Sequence, residues 1–267
     1  MKNIFAYTIA VVAAVIACNT TTAQTVTLDY YFNHETTRDS AGNLHRFHYT
    51  WEDKKQSGYS TWGEILRSKG AVINSLEAAP TQQNLKGTDI YIIVDPDTQK
   101  ETANPNYIQL QDVTAIRQWV KDGGVLVLLA NDSANVEMEH LNTLSQAFGI
   151  TFNNDDYHKV DGNHFEMGAF YIPAGHPVFK TARKIYLKEL STLTIKAPAE
   201  AVLKDGDKII IAVSHYGKGT VFAVGDPWIY NEYCNGRLPK EYDNDKAAND
   251  LSAWLIEQAK HNRHNNK

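Results

Sequence analysis

Six consecutive apolar residues, Val125-Leu126-Val127-Leu128-Leu129-Ala130, lie between two stretches of helical periodicity, and this run constrains the fold most. A run with no polar alternation buries both of its faces, which a central strand of a parallel sheet does when helices cover both sides. Ahead of it, Val113, Ile116, Trp119 and Val120 recur at helical spacing within Leu110 to Lys121, and Gly123-Gly124 stops the helix. After it, Met138, Leu141, Leu144 and Phe148 predict another helix, closed by Gly149. Thr88 to Val94 is a second strand apolar on both faces. Val26 to Phe32 reads as the first strand, Ser60 to Ser68 as a helix ending at Gly70, and Ala71 to Leu76 as a weak strand. Strand and helix alternate, so the expected class is α/β, a doubly wound and mostly parallel sheet with helices on both faces.

The second half is more β-like. Ala201–Leu203 and Lys208–Val213 flank Asp205-Gly206-Asp207, which predicts an added β-hairpin. His215 to Gly219 is another turn, leading into a strand from Thr220 to Gly225. A closing helix is expected from about Asn244 to Lys260, with Ala248, Leu251, Trp254 and Leu255 on its apolar face. The tail 261–267 is polar.

The start of the chain has the layout of an export signal. Lys2 precedes an apolar run from Ile4 to Ala17, too short to span a bilayer, and small residues follow. Two cuts are readable: a lipobox at Val15-Ile16-Ala17-Cys18, or ordinary cleavage after Thr21-Thr22-Ala23. The expectation is a leader over residues 1–23 and one α/β domain over 24–260. The domain is expected to be periplasmic, and tethered to a membrane by a lipid on Cys18 only under the lipobox reading. With a net charge of −5 and no basic arm, the chain does not resemble a nucleic-acid binder. Cys234 is the one cysteine beyond the leader, which excludes an internal disulfide and a cysteine metal cluster in the ordinary-cleavage form.

Four predicted strands end in polar loops: Asn33-His34-Glu35, Asp95-Pro96-Asp97, Asn131-Asp132-Ser133, and Asp226-Pro227-Trp228 through Asn231-Glu232. Ligands of open α/β sheets bind outside the carboxyl ends of the strands, so parallel neighbours would bring these loops to one crevice. The competing reading is that Asp and Asn cap helices and make turns at such junctions, Asp132 and Ser133 being the case in point. Asp95, Asp132 and Asp226 are the candidate acids and bases, with His34 and His48 assisting. Asn33, Glu35, Trp51, Asp53, Asp97, Asn131, His140, Trp228, Asn231 and Glu232 are the candidate ligand contacts. Trp51 or Trp228 is expected to wall the crevice. His140 also forms an i, i+3 pair with Glu137, readable as a base with its orienter or as a solvated face. The segment Arg46-Phe47-His48-Tyr49-Thr50-Trp51-Glu52-Asp53 puts aromatic faces beside carboxylates, as a sugar ring requires, and equally suits a loop packed over the sheet edge. No metal ligands are singled out, although clustered carboxylates have the oxygens that Ca²⁺ takes. The nucleophile elbow of serine hydrolases, the P-loop, H-E-x-x-H and G-x-G-x-x-G are absent from the sequence.

Leu28 to Glu35, Phe47 to Asp53, Tyr91 to Asp97 and Val224-Gly225-Asp226-Pro227-Trp228 together resemble a known accessory domain. It is the glutamine-amidotransferase-like domain, itself a domain-of-unknown-function family, found C-terminal to unsaturated rhamnogalacturonyl hydrolases of Bacteroidetes. The resemblance implies a flavodoxin-like or class I glutamine-amidotransferase-like sheet and a context of pectin utilisation. It also implies an acidic, unsaturated uronate-containing oligosaccharide as ligand and a family 88/105-type unsaturated glycuronyl hydrolase as partner. It implies no glutaminase: the elbow that holds the amidotransferase cysteine corresponds here to Ala130-Asn131-Asp132-Ser133-Ala134. Two functions remain open, a module that binds or helps process acidic plant-type oligosaccharides, and a stand-alone hydrolase, lyase or isomerase using the same carboxylates.

Overall fold

The computed structural model describes residues 23–234 and 236–264. The lipobox with Cys18, and Thr21 and Thr22 of the alternative cut, lie outside the described residues. Among these, no helix is long and apolar enough to cross a membrane.

The chain opens with β1 (Thr25–Asp29) and a small hairpin, β2 (Thr36–Arg38) and β3 (Leu44–Arg46). Then follow α1 (Ser60–Ser68), β4 (Val72–Leu76), β5 (Ile90–Val94), α2 (Leu110–Lys121), β6 (Val125–Leu129) and α3 (Met138–Ser145). Short strands come next: β7 (Ile150–Phe152), β8 (Ala169–Tyr171), β9 (Lys184–Tyr186) and β10 (Leu193–Ile195). The chain closes with β11 (Ala199–Asp205), β12 (Lys208–Tyr216), β13 (Gly219–Val224), α4 (Asn231–Cys234) and α5 (Asn244–His264). The main sheet runs β4-β1-β5-β6-β13-β12-β10-β7, with β11 paired to β12. The pairs from β4 through β13 are parallel, and those of β12, β10, β11 and β7 are antiparallel. The protein is therefore a mixed α/β fold. The predicted hairpin, β11–β12, is present, and β12 also pairs with β13 to extend the sheet.

Alternation along the central strands explains the two layers. Ile90, Ile92 and Val94 of β5, with Val125, Val127 and Leu129 of β6, face a core shared with Trp62 and Leu66 of α1 and with Leu251 and Leu255 of α5. Tyr91, Ile93, Leu126 and Leu128 face the other core, closed by Ile116 and Val120 of α2 and Leu141 and Leu144 of α3. Trp62 is fully buried, and its indole N–H donates to Ser252 Oγ at 3.0 Å, which fastens α1 to α5. Helix α1 stops because Gly70 takes the left-handed conformation (φ 84°), which costs glycine little.

Three features depart from the sequence reading. The polar stretch from Thr36 to Leu44, with the turn signal Gly42-Asn43, reads as a loop in the sequence and folds as part of the β2–β3 hairpin. Strand β1 ends at Asp29 and not at Phe32, because the Asp29 carboxylate accepts the backbone N–H groups of Tyr31 (3.0 Å) and Phe32 (2.7 Å) and turns the chain. Helix α5 runs on to His264, through the start of the expected polar tail.

Candidate functional site

The parallel order β1-β5-β6-β13 places the four strand-end loops side by side at one edge of the sheet. The loops are cross-tied. Asn33 Nδ2 donates to the Asp95 carbonyl at 2.9 Å, and the Asp97 carboxylate accepts the His34 backbone N–H at 3.1 Å. Asp95 Oδ2 accepts from Asn131 Nδ2 at 3.3 Å. Asp226 Oδ2 accepts the backbone N–H of Lys188 at 2.7 Å, and Ser191 N–H donates to the Gly225 carbonyl at 3.0 Å. The segment preceding β10 is thereby sewn onto the end of β13.

A cleft of about 230 Å³ opens here, lined by His48, Tyr49, Ser57, Asn131, Asn135, Lys188, Glu189, Asp226, Tyr230 and Glu232. Burial pushes the Asp226 carboxyl up to about 7, against the opposing pull of the Lys188 N–H and ammonium. Burial also pushes Asp95, just behind the cleft, well above the usual carboxylate range, and the Glu101 charge adds to it; Asn131 and the Tyr49 hydroxyl offset part of the rise. The phenols of Tyr49 and Tyr230 are raised by burial and stay protonated donors. Two acids at the rim pair with cations, Glu189 with Lys188 at 3.0 Å and Glu232 with Arg237, and Glu35 Oε1 lies 2.6 Å from His48 Nδ1. The lining is thus rich in hydrogen-bonding groups and nearly compensated in charge.

Backbone conformation marks the same place. Of the five non-glycine residues with left-handed φ among the described residues, His48 (55°), Tyr49 (47°) and Glu189 (49°) line the cleft, and Asp95 (44°) stands behind it. The fifth, His158 (54°), accepts the Glu189 N–H at its carbonyl. Residues held this way cost on the order of 1–3 kcal/mol each and cluster at functional sites.

Several candidates from the sequence fall elsewhere. Trp51 and Trp228 do not wall the crevice. Both are core residues: Trp51 packs on Tyr59 and Trp62 with its N–H on the Asn74 carbonyl (2.8 Å), and Trp228 is fully buried edge-on to Phe179. The aromatic groups at the cleft are Tyr49 and Tyr230 instead. Asn231 is a buried clamp. Its Oδ1 accepts from Thr61 N–H, and its Nδ2 donates to the Asp53 and Lys55 carbonyls, leaving nothing for a ligand. Asp132 makes a turn, accepting Ala134 N–H at 2.8 Å and Asn135 Nδ2 at 2.5 Å, and the cap of α3 expected at Asp132 or Ser133 is supplied by Glu137 instead. His34 sits against Asp97, 3.3 Å away, rather than in the cleft. Burial raises Asp97, while Thr102 Oγ1 and the His34 N–H oppose the rise. Asp53 borders a separate depression beside the β2–β3 hairpin, and His140 another beside α3.

Tyr49, Tyr230, Ser57, Asn135, Lys188 and Glu189 were missing from the expected set. Tyr49 had a signal, since it lies within the aromatic–acidic segment; Lys188 and Glu189 lie in a stretch with no periodicity. Cys234 is buried in α4, its thiol pushed up to about 12 by burial and donating to the Ile229 carbonyl at 3.4 Å. A thiol so placed is no nucleophile. Among the described residues, no three His, Cys, Asp or Glu side chains are arranged to hold a metal ion.

Residues 52–233 match the model of a domain of unknown function, DUF4350. The chain belongs to the DUF4350 family. The matched stretch carries Asp95, Asn131, Lys188, Asp226 and Tyr230, and stops short of Glu35, His48 and Tyr49. The chain matches no curated protein. Among solved structures it is similar to the mmIFT52 N-terminal domain, with 18% identity, a TM-score of 0.63, and coverage of 87% of this chain and 97% of that one. It is also similar to the cytoplasmic protein STM3548 from Salmonella typhimurium, with 16% identity, a TM-score of 0.54, and coverage of 88% and 98%. A β-galactosidase from Rahnella sp. R3 matches at 15% identity and a TM-score of 0.53, over 90% of this chain and 31% of that one. At these identities the likeness is one of fold.

Proposed function

We propose that this DUF4350 protein is an exported glycan-binding protein whose cleft holds the end unit of a plant-type oligosaccharide. The observation that carries the reading is the cleft's lining. Asp226, Asn131, Asn135, Ser57, Tyr49, Tyr230 and Lys188 bring donors and acceptors to a space of about 230 Å³, beside two tyrosines. A space below the ~300–1,000 Å³ of drug-sized sites suits one ring rich in hydroxyls. Tyrosine combines an apolar body with a polar tip, as sugars do. Charge compensation at the rim suits a neutral ring. The cleft lies outside the carboxyl ends of the parallel neighbours β6 and β13, the edge at which open α/β sheets take their ligands.

One observation favours a second reading, a glycan-acting enzyme. Asp226 holds its proton up to about pH 7, which is where a general acid or base is most effective. Calorimetric titration with rhamnose, galactose, mannose and a rhamnogalacturonan disaccharide separates the cases. Saturable binding of at least one sugar, lost in Asp226→Ala and in Tyr230→Ala with the fold intact, is expected. Release of monosaccharide from the disaccharide would move the assignment to the enzyme. No heat from any sugar at millimolar concentration would end the glycan reading.

A further inference from the structure

We infer that the wider depression beside the cleft is a second subsite, for a carboxylate-bearing (uronate) sugar unit. The site as a whole then takes a chain end whose penultimate unit is acidic. This rests on the glycan reading of the cleft.

The two spaces share one wall, the loop of residues 131–137. Asn131 and Asn135 line the cleft, while Ser133, Val136 and Glu137 line a depression of about 780 Å³. Neighbouring residues of one loop thus look into two basins, an arrangement that lets a chain cross the Ala134–Asn135 peptide. Lys100 stands at that crossing. Its Nζ donates to the Ala134 carbonyl at 3.2 Å, and it pairs with no carboxylate among the described residues. In the cleft, by contrast, Lys188 pairs with Glu189. An unpaired ammonium held one peptide from the first subsite is the group an anionic second unit would meet. The inner acid of the depression is spoken for: Glu137 accepts the His140 N–H at the start of α3 (3.1 Å) and lies 3.1 Å from His140 Nδ1. Glu139, on the exposed rim, is the remaining acid. Tyr107 stacks on His140 at 4.8 Å, a preorganised aromatic floor for a sugar ring.

The test is titration of the wild type and of Lys100→Gln with rhamnosyl-galacturonate, with its carboxyl-reduced neutral counterpart, and with rhamnose. In the wild type the acidic disaccharide should bind about tenfold more tightly than the reduced one, the value of one charge-assisted hydrogen bond. That preference should fall with added salt and vanish in Lys100→Gln. Equal affinity for the two disaccharides in the wild type overturns the second subsite and leaves the cleft reading standing, provided rhamnose binds. A preference that survives Lys100→Gln also overturns it. If none of the three binds, the subsite and the glycan reading fall together.

Discussion

Asp226→Asn is expected to make the protein more stable above neutral pH while it removes the cleft's acid. The carboxyl is fully buried and its pKa is about 7, against 3.8 for the free side chain. The difference, about 3 units at 1.36 kcal/mol each, is worth about 4 kcal/mol. A raised carboxyl pKa means that the native state keeps a proton the unfolded chain gives up. Stability from this group is therefore full below about pH 4, falls as the pH climbs toward 7, and stays low beyond. Asparagine is neutral throughout and keeps an acceptor for the Lys188 N–H, so the variant lacks this decline. The two proteins should unfold at similar urea concentrations at pH 4 and diverge toward pH 8, the variant leading by up to about 4 kcal/mol less what is lost with the Lys188 ammonium. The comparison must be between the two curves, because Asp29, pushed up to about 6 by burial, tilts both in the same direction. Urea midpoints at half-unit steps from pH 4 to 8 measure this. Parallel curves would show that Asp226 is ionised in the native protein at neutral pH, and the description of the cleft as charge-compensated would fail.

Asn231→Ala should destabilise by on the order of 3 kcal/mol, since it strands the Thr61 N–H and two loop carbonyls; an unchanged urea midpoint would contradict the clamp. Gly225→Ala should cost a comparable amount and weaken sugar binding. Its Cβ would sit 2.0 Å from the Ser191 carbonyl oxygen, so the backbone beside Asp226 must move; calorimetry and thermal melting together check it. Cys234 should resist iodoacetamide in the native protein and react once unfolded, and Cys234→Ala should leave sugar binding as in the wild type. Rapid native alkylation would refute the buried thiol.

The central layer was legible because local and global signals agree there. Val125 to Leu129 is apolar on both faces, Gly70 and Gly149 end their segments in left-handed conformations, and Asn244 begins the closing helix, all as read. Strands β7 and β10 were not legible. Each has three residues, too few to show a period, and they exist because Leu193 meets both Phe152 and Ile209 from distant parts of the chain. The site was half legible. The parallel order brings the carboxyl ends together, so Asp226 and Asn131 could be placed from sequence. Which way a side chain points at a turn is set by tertiary contacts. Trp51 and Tyr49 stand two residues apart in one loop, and the left-handed backbone at Tyr49 helps decide that the tyrosine lines the cleft while the tryptophan enters the core. Lys188 and Glu189 had no sequence signal, because long-range ties, Ser191 N–H to the Gly225 carbonyl and Lys188 N–H to Asp226, carry them to the end of β13.

Backbone strain and buried carboxyls meet at one end of this sheet. His48, Tyr49, Asp95 and Glu189 hold left-handed backbones, and Asp95 and Asp226 hold buried carboxyls whose pKa values burial raises. Such costs persist where the surroundings over-determine them: the Tyr49 N–H is fixed to Ser57, the Asp95 N–H to Leu129 and the Glu189 N–H to His158. A ligand hydroxyl that donates to Asp226 favours the ionised carboxylate and lowers its pKa on binding. Near pH 7 the complex should then release a fraction of a proton that the free protein holds. Titrations at pH 7 in phosphate and in Tris, whose ionisation enthalpies differ widely, should give different apparent heats for the same sugar. Asp226→Asn should abolish that difference even where some binding survives. Equal heats in both buffers for the wild type would mean that Asp226 does not sense the ligand, and the assignment of the ligand's hydroxyl to that carboxyl would be lost.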